Sequence, residues 1–151
     1  LKKSRPMWQV TASDLSADAL VLAKDNAKLN RVDISFVLAD VFENVSGCFD
    51  IIVSNPPYIS ENDKDEVGLN VLTSEPKMAL FADEDGLAIY RQILEDADKY
   101  LNPQGKLYFE IGYKQGEDLR KLLSLHFPDK HVRVLKDQFG QDRMVVMDDG
   151  K

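Results

Sequence analysis

The six residues Phe49-Asp50-Ile51-Ile52-Val53-Ser54 run straight into Asn55-Pro56-Pro57, and this junction constrains the fold more than any other stretch. A short, nearly all-apolar run is what a strand of a parallel sheet shows when it is buried on both faces. Two consecutive prolines then fix two φ angles and remove two backbone donors, so the strand cannot continue. Asn55 precedes a proline, which drives it towards extended geometry. The expected product is a buried strand ending in a stiff, chemically exposed corner.

The flanking sequence repeats the strand-then-polar pattern. Trp8 to Ser13 has the length and loose alternation of a strand and ends at Asp14. Ser16 can cap a helix whose first turn holds Asp18, with Leu20, Ala23 and Ala27, flanked by Leu22 and Leu29, forming its apolar side through about Asn30. Ile34 to Ala39 is a second strand, ending at Asp40. From Ile59 to Asp85 the pattern dissolves into a polar, acidic connection, of a length that usually carries function.

Leu87 to Leu101 returns to helical spacing, with Ile89, Ile93, Leu94 and Ala97 on one side, before the turn Asn102-Pro103-Gln104-Gly105. Lys106 to Ile111 is a strand, and Glu117 to His126 is a helix with Leu119, Leu122 and Leu123 as its stripe. His131 to Leu135 and Arg143 to Met147 close the chain as an antiparallel pair. Strands alternating with helices imply an α/β fold, a mostly parallel sheet whose ligands bind at the carboxyl ends of the strands. Asp14, Asp40 and Asn55 each follow such an end, which would gather three polar residues along one edge.

Composition removes several classes. The 151 residues suffice for one domain with a real core. No apolar run approaches the roughly 18 residues of a membrane span, and Leu1 to Pro6 does not lead into a signal peptide. A single cysteine, Cys48, rules out an internal disulfide and points to a reducing cytoplasm; near Gly47 it reads as a small packed residue. No Cys/His spacing suggests a metal. Net charge is −7, and between Asp40 and Asp98 there are 14 acidic residues against Lys64, Lys77 and Arg91. That surface attracts basic partners and counts against a phosphate backbone as substrate.

The corner carries the chemistry. The Asn55 side-chain oxygen and the Pro56 carbonyl can together accept both hydrogens of one NH2 group, and Tyr58 can stack on a flat amide or base. Such a slot selects a planar nitrogen and works mainly by positioning it. The plainer reading of the same four letters is a strand-ending turn. His126, on the apolar side of its helix, reads as packing, and Trp8 as a cover for the sheet edge. Glu75, before Pro76, reads as structural or solvated.

Asn55-Pro56-Pro57-Tyr58 and its strand resemble motif IV of class I amino methyltransferases. The succession "NPPYIS", "EPKMALFADEDGLAIYRQIL", "LNPQGKLYFEIGYKQG" and "QFGQDRMVV" resembles the HemK/PrmC family, which methylates a glutamine side-chain nitrogen in peptide chain release factors. The likeness runs from about Val10 to Val146, and the Glu75-Pro76 and Asp85-Gly86-Leu87 segments favour the protein-glutamine branch over adenine and guanine methyltransferases that share the corner.

The resemblance implies a Rossmann-like class I fold, S-adenosyl-L-methionine as cofactor and release factors as partners. It implies that Asn55, Pro56, Pro57 and Tyr58 form the catalytic corner. Asp14 would hold the cofactor's ribose hydroxyls, Asp40 and Val41 would sit at its adenine, and Asn55 would border its methyl group. On spacing alone Asp14 is equally a helix-start residue beside Ser16, and Asp40 a loop carboxylate. The family's glycine-rich loop and first strand are expected before Leu1, which makes residues 1–151 a catalytic domain incomplete at its N-terminus. Two rivals follow: an N6-adenine or N2-guanine nucleic-acid methyltransferase, and a non-catalytic fragment of the same fold.

Overall fold

Ser16 does what its position predicts. In the computed structural model, which describes residues 1–56 and 86–150, its hydroxyl accepts the Ala19 N–H and starts α1, Ala17–Leu29. At the other end the N–H of Arg31 reaches the Lys28 carbonyl and that of Val32 reaches Ala27. This double bond closes the helix, with Arg31 in the left-handed region at φ 54° where glycine is the usual occupant. Leu20 and Ala27 are buried, whereas Leu22 and Leu29 of the expected apolar side are exposed.

The chain divides into two compact units, Leu1–Gly47 and Cys48–Lys151. In the first, β1 (Thr11–Asp14) pairs in parallel with β2 (Ser35–Leu38), Asp14 standing opposite Leu38. The strand begins later than expected: Trp8 lies before it, 40% exposed, with the Arg5 guanidinium over its ring.

In the second unit, β3 (Phe49–Ser54), β4 (Leu101–Glu110), β5 (His131–Lys136) and β6 (Asp142–Asp148) form a sheet in the order β3-β4-β6-β5. β3 and β4 are parallel; β4–β6 and β5–β6 are antiparallel, so the C-terminal pair is as expected. Helix α2 (Ala88–Tyr100) buries Tyr90, Ile93, Leu94 and Ala97. Tyr90 takes the inward place the spacing assigned to Ile89, its ring edge-on to Phe109 at 5.3 Å and its hydroxyl donating to the Glu110 carbonyl at 2.8 Å. An aromatic with a polar tip is stable there because both ends are satisfied. Helix α3 (Gly116–His126) buries Leu119 and Leu123.

Four expectations need correcting. β3 is not buried on both faces: it is an edge of its sheet, Asp50 is exposed and Val53 is 65% exposed. Asn102 to Gly105 does not separate helix from strand but lies inside β4. Phe49 pairs with Leu101 and Ile51 already with Lys106, so the turn-forming residues bulge out of a ladder that resumes beyond them. Cys48 is exposed, its thiol 3.5 Å from the Lys99 carbonyl. His126 is exposed too; its ring nitrogen lies 3.0 Å from the Leu122 carbonyl, at the end of the helix rather than in the core. Among the described residues no helix is long and apolar enough to cross a membrane. Glu75 and the acidic connection from Ile59 to Asp85 lie outside the described residues.

Candidate active site

Parallel pairing decides which polar residues share an edge. In the first unit Asp14 is the last residue of β1 and Asp40 follows β2 by two, so both stand at the carboxyl edge of one strand pair. The Ala39 N–H donates to the Asp14 carbonyl at 3.0 Å and holds the two strand ends in step. One oxygen of the Asp14 carboxylate, Oδ1, accepts the Ser16 N–H at 2.8 Å. The helix-start role is therefore real, and it orients the exposed carboxylate while leaving Oδ2 available.

Just past this edge the backbone is strained. Val41 has φ 52° and Asn44 φ 60°. For a β-branched residue the left-handed region is a genuine outlier, at a cost of about 1–3 kcal/mol. The segment is held by the Glu43 N–H on the Asp40 carbonyl, 2.9 Å, and the Val45 N–H on the Phe42 carbonyl, 2.9 Å. Strain of this kind persists where a backbone must present its groups in one direction.

In the second unit Asn55 follows β3 directly and is exposed, and Pro56 behind it is buried. Among the described residues neither the Asn55 carboxamide nor the Pro56 carbonyl takes a hydrogen bond. Both acceptors are open. Pro57 and Tyr58 lie outside the described residues. Asp14, Asp40 and Val41 thus share one edge in the first unit, and Asn55 and Pro56 occupy a strand end in the second.

The rule that picked out Asp14, Asp40 and Asn55, a polar residue closing an apolar strand, also applies to Glu110 at the end of β4, which the sequence reading passed over. Behind it Gln115 is buried, 7% exposed. Its side-chain oxygen accepts the Gly112 N–H at 3.1 Å, and its amide nitrogen donates to the Gly86 carbonyl at 3.2 Å. Gln115 thereby ties the loop after β4 to the residue that leads into α2. No pattern in the sequence announces this, since a glutamine before a helix is ordinary. Among the described residues no group of three or more His, Cys, Asp or Glu side chains could hold a metal ion.

Two parallel strand pairs, helices between strands and polar residues at the carboxyl ends define an α/β fold of the kind that takes ligands at its strand ends, and known proteins place it. Residues 1–83 match the family model "Methyltransferase small domain", and the chain belongs to that family. Among solved structures it resembles the ribosomal protein L11 methylase of Lactobacillus delbrueckii subsp. bulgaricus, with a TM-score of 0.63 at 23% identity over 92% of this chain and 56% of that one. A methyltransferase from Pyrococcus furiosus gives a TM-score of 0.64 at 21% identity, over 95% and 64%. The fold is that of the class I S-adenosylmethionine-dependent methyltransferases.

Closer in sequence are proteins named release factor glutamine methyltransferase. That of Streptococcus pneumoniae is 61% identical over all of this chain and 54% of its own length. That of Lactococcus lactis is 45% identical over 96% of the chain and 54% of its length. The HemK/PrmC resemblance is thus met by relatives bearing the corresponding name, and the chain spans about half the length of each.

Proposed function

We propose that this chain is part of a cytoplasmic enzyme that transfers a methyl group from S-adenosyl-L-methionine to the side-chain amide nitrogen of a glutamine in peptide chain release factors. The observation that carries the reading is the Asn55-Pro56 corner, two open acceptors on a stiffened backbone directly after β3. Relatives with 61% and 45% identity that carry the name of this activity support it.

An amide nitrogen is a poor nucleophile because its lone pair is delocalised into the carbonyl. Asn55 Oδ1 and the Pro56 carbonyl each accept one of its hydrogens, which orients the nitrogen and shifts charge onto it. Prolines at positions 56 and 57 stiffen this geometry, so little ordering cost falls on the reaction itself. By the family resemblance Tyr58 would line the slot, its ring suited to a flat amide.

The first unit fits the cofactor's chemistry. Asp14 Oδ2 is an acceptor matched to the two donor hydroxyls of a ribose, and its carboxylate is already oriented by the Ser16 N–H. Asp40 and the strained backbone at Val41 suit the edge of an adenine, which needs donors and acceptors in one plane. When bound, the cofactor would supply an electrophilic methyl group on a sulfonium. Transfer needs no covalent bond to the enzyme: the amide nitrogen would gain the methyl carbon as its bond to sulfur breaks, and would give up one hydrogen as a proton to water.

The test uses the full-length protein that carries this chain, S-adenosylmethionine labelled in its methyl group, and purified release factor. Label on the glutamine, strongly reduced but still measurable in Asn55→Ala and reduced in Asp14→Ala, is the expected result. Label that goes to DNA or RNA instead refutes the substrate assignment, and absence of cofactor binding refutes the enzyme.

A further inference from the structure

Asn55 has an ambiguity that its own position does not resolve. A carboxamide presents an oxygen on one side and an NH2 group of nearly the same shape on the other, and only the oxygen can receive an amide hydrogen. The proposed slot works in one of the two orientations. Something must select it.

The register of β3 against β4 identifies what can. Ser54 stands opposite Phe109 in the last pair of the ladder, so these two share a face; Glu110 follows on the opposite face of β4, and Asn55, the first residue after β3 and biased to extended geometry by the proline behind it, continues the same alternation. Phe109 faces Tyr90 of α2, and an added Cβ on Gly116 of α3 would meet Val134, which pairs with Val145, itself opposite Phe109. Both helices therefore pack on the Phe109 face, opposite the one that carries Glu110. Neighbouring strands run about 4.8 Å apart, within reach of a glutamate and an asparagine side chain on the same face.

Glu110 is half-buried, and among the described residues its carboxylate takes no hydrogen bond or ion pair, nor does the Asn55 carboxamide. The Glu110 backbone, by contrast, is tightly held. Its carbonyl accepts the Tyr90 hydroxyl at 2.8 Å, it pairs with Met144 of β6, and the ladder continues through the Ile111 N–H to the Arg143 carbonyl at 2.9 Å. A carboxylate on so fixed a backbone, without a partner among the described residues and on the strand next to the one that ends at Asn55, calls for a role.

We propose that Glu110 is a positioning residue that acts through Asn55, accepting the Asn55 Nδ2–H and so turning Oδ1 towards the substrate amide. A carboxylate can only accept, which is why it selects a single orientation where a glutamine would allow both. Its charge also makes Oδ1 a stronger acceptor through the conjugated amide. The inference rests on the reading of Asn55 as an acceptor for the substrate nitrogen.

The experiment is a double-mutant cycle in the full-length protein with release factor and labelled S-adenosylmethionine, comparing wild type, Glu110→Gln, Asn55→Ala and the double variant. Glu110→Gln is expected to lower kcat by about 10-fold or more, the scale of a hydrogen bond to a charged group. KM for release factor should stay within about 2-fold, because Glu110 does not touch the partner. In the Asn55→Ala background the same change should cost nothing further, since the group it orients is gone. Glu110→Asp, which keeps an acceptor on a shorter arm, should recover part of the rate. Losses that add in the double variant, or an active Glu110→Gln, overturn the positioning role while leaving the functional reading intact. A wild-type protein that transfers no methyl to glutamine overturns that reading, and this inference with it. Should Glu110→Gln lower the melting temperature and Glu110→Asp recover stability without rate, Glu110 is structural and the proposal fails.

Discussion

Replacing Gln115 by alanine tests whether the loop behind the candidate site is held as the structure shows. The side chain is almost wholly buried and, among the described residues, bonds to two backbone groups, the Gly112 N–H and the Gly86 carbonyl. Each bond contributes about 1 kcal/mol net, and each backbone group left unpaired away from water adds about 1–3 kcal/mol unless it finds solvent. The space vacated by the carboxamide admits water in part. The two terms together give a loss of about 2–4 kcal/mol. With a urea m-value of about 1–3 kcal/mol/M, the midpoint should fall by roughly 1–2 M. Amide hydrogen exchange supplies the local reading: Gly112 should lose protection in Gln115→Ala, whereas Tyr108, inside the β3–β4 ladder, should lose only what the global change dictates. Unchanged exchange at Gly112, or a midpoint within the error of wild type, would show that Gln115 does not hold this loop.

Three further outcomes follow from the geometry. Arg31→Gly should raise stability by about 0.5–1 kcal/mol, because glycine occupies the left-handed closing position of α1 without a Cβ penalty; thermal melting of the variant measures it. Gly105→Ala should destabilise by about 1–3 kcal/mol, since the new methyl would lie 2.7 Å from Leu101 Cδ2 and 2.8 Å from the Asn102 carbonyl, and a urea titration reads the difference. Acid should weaken the β5–β6 hairpin. The Asp148 carboxyl is held below its usual range by the Gly150 N–H and then by Arg133. That of Asp137 is held low because the Gln141 and Phe139 N–H groups and Arg143 outweigh its burial. A lowered folded-state value gives stability that is complete above the ordinary carboxylate value of about 4 and is lost as pH falls through the folded one. The melting temperature should therefore drop below about pH 4, and Asp137→Asn should flatten that slope.

Local chemistry explains why so much could be read in advance. Ser16 caps α1 because a hydroxyl before a helical run has one available donor to satisfy, three residues on. The bounds of β3 and the antiparallel pairing of the last two strands followed from apolar periodicity and, for β3, a proline stop. The misreadings came where neighbours outvote local preference. Asn102 to Gly105 has turn chemistry, yet it sits within β4 because the strand beside it supplies partners on both sides of the bulge. Tyr90 rather than Ile89 faces inward because a carbonyl on the facing strand satisfies its hydroxyl.

The candidate site divides along the same line. Residue type, spacing and proline stiffness were enough to single out Asn55, Pro56, Asp14 and Asp40, because each lies where its own segment ends, whereas Val41 entered only through the family resemblance. Only the folded chain could show that the Asp14 carboxylate is oriented by the Ser16 N–H, that Val41 carries backbone strain, and that Gln115 spans from Gly112 to Gly86. It alone could bring the ends of β3 and β4 side by side, through the pairing of Ser54 with Phe109, 55 positions apart in sequence. A strand's length and end are written in its own residues; its register depends on the residues of another strand, and that relation exists only once both are packed.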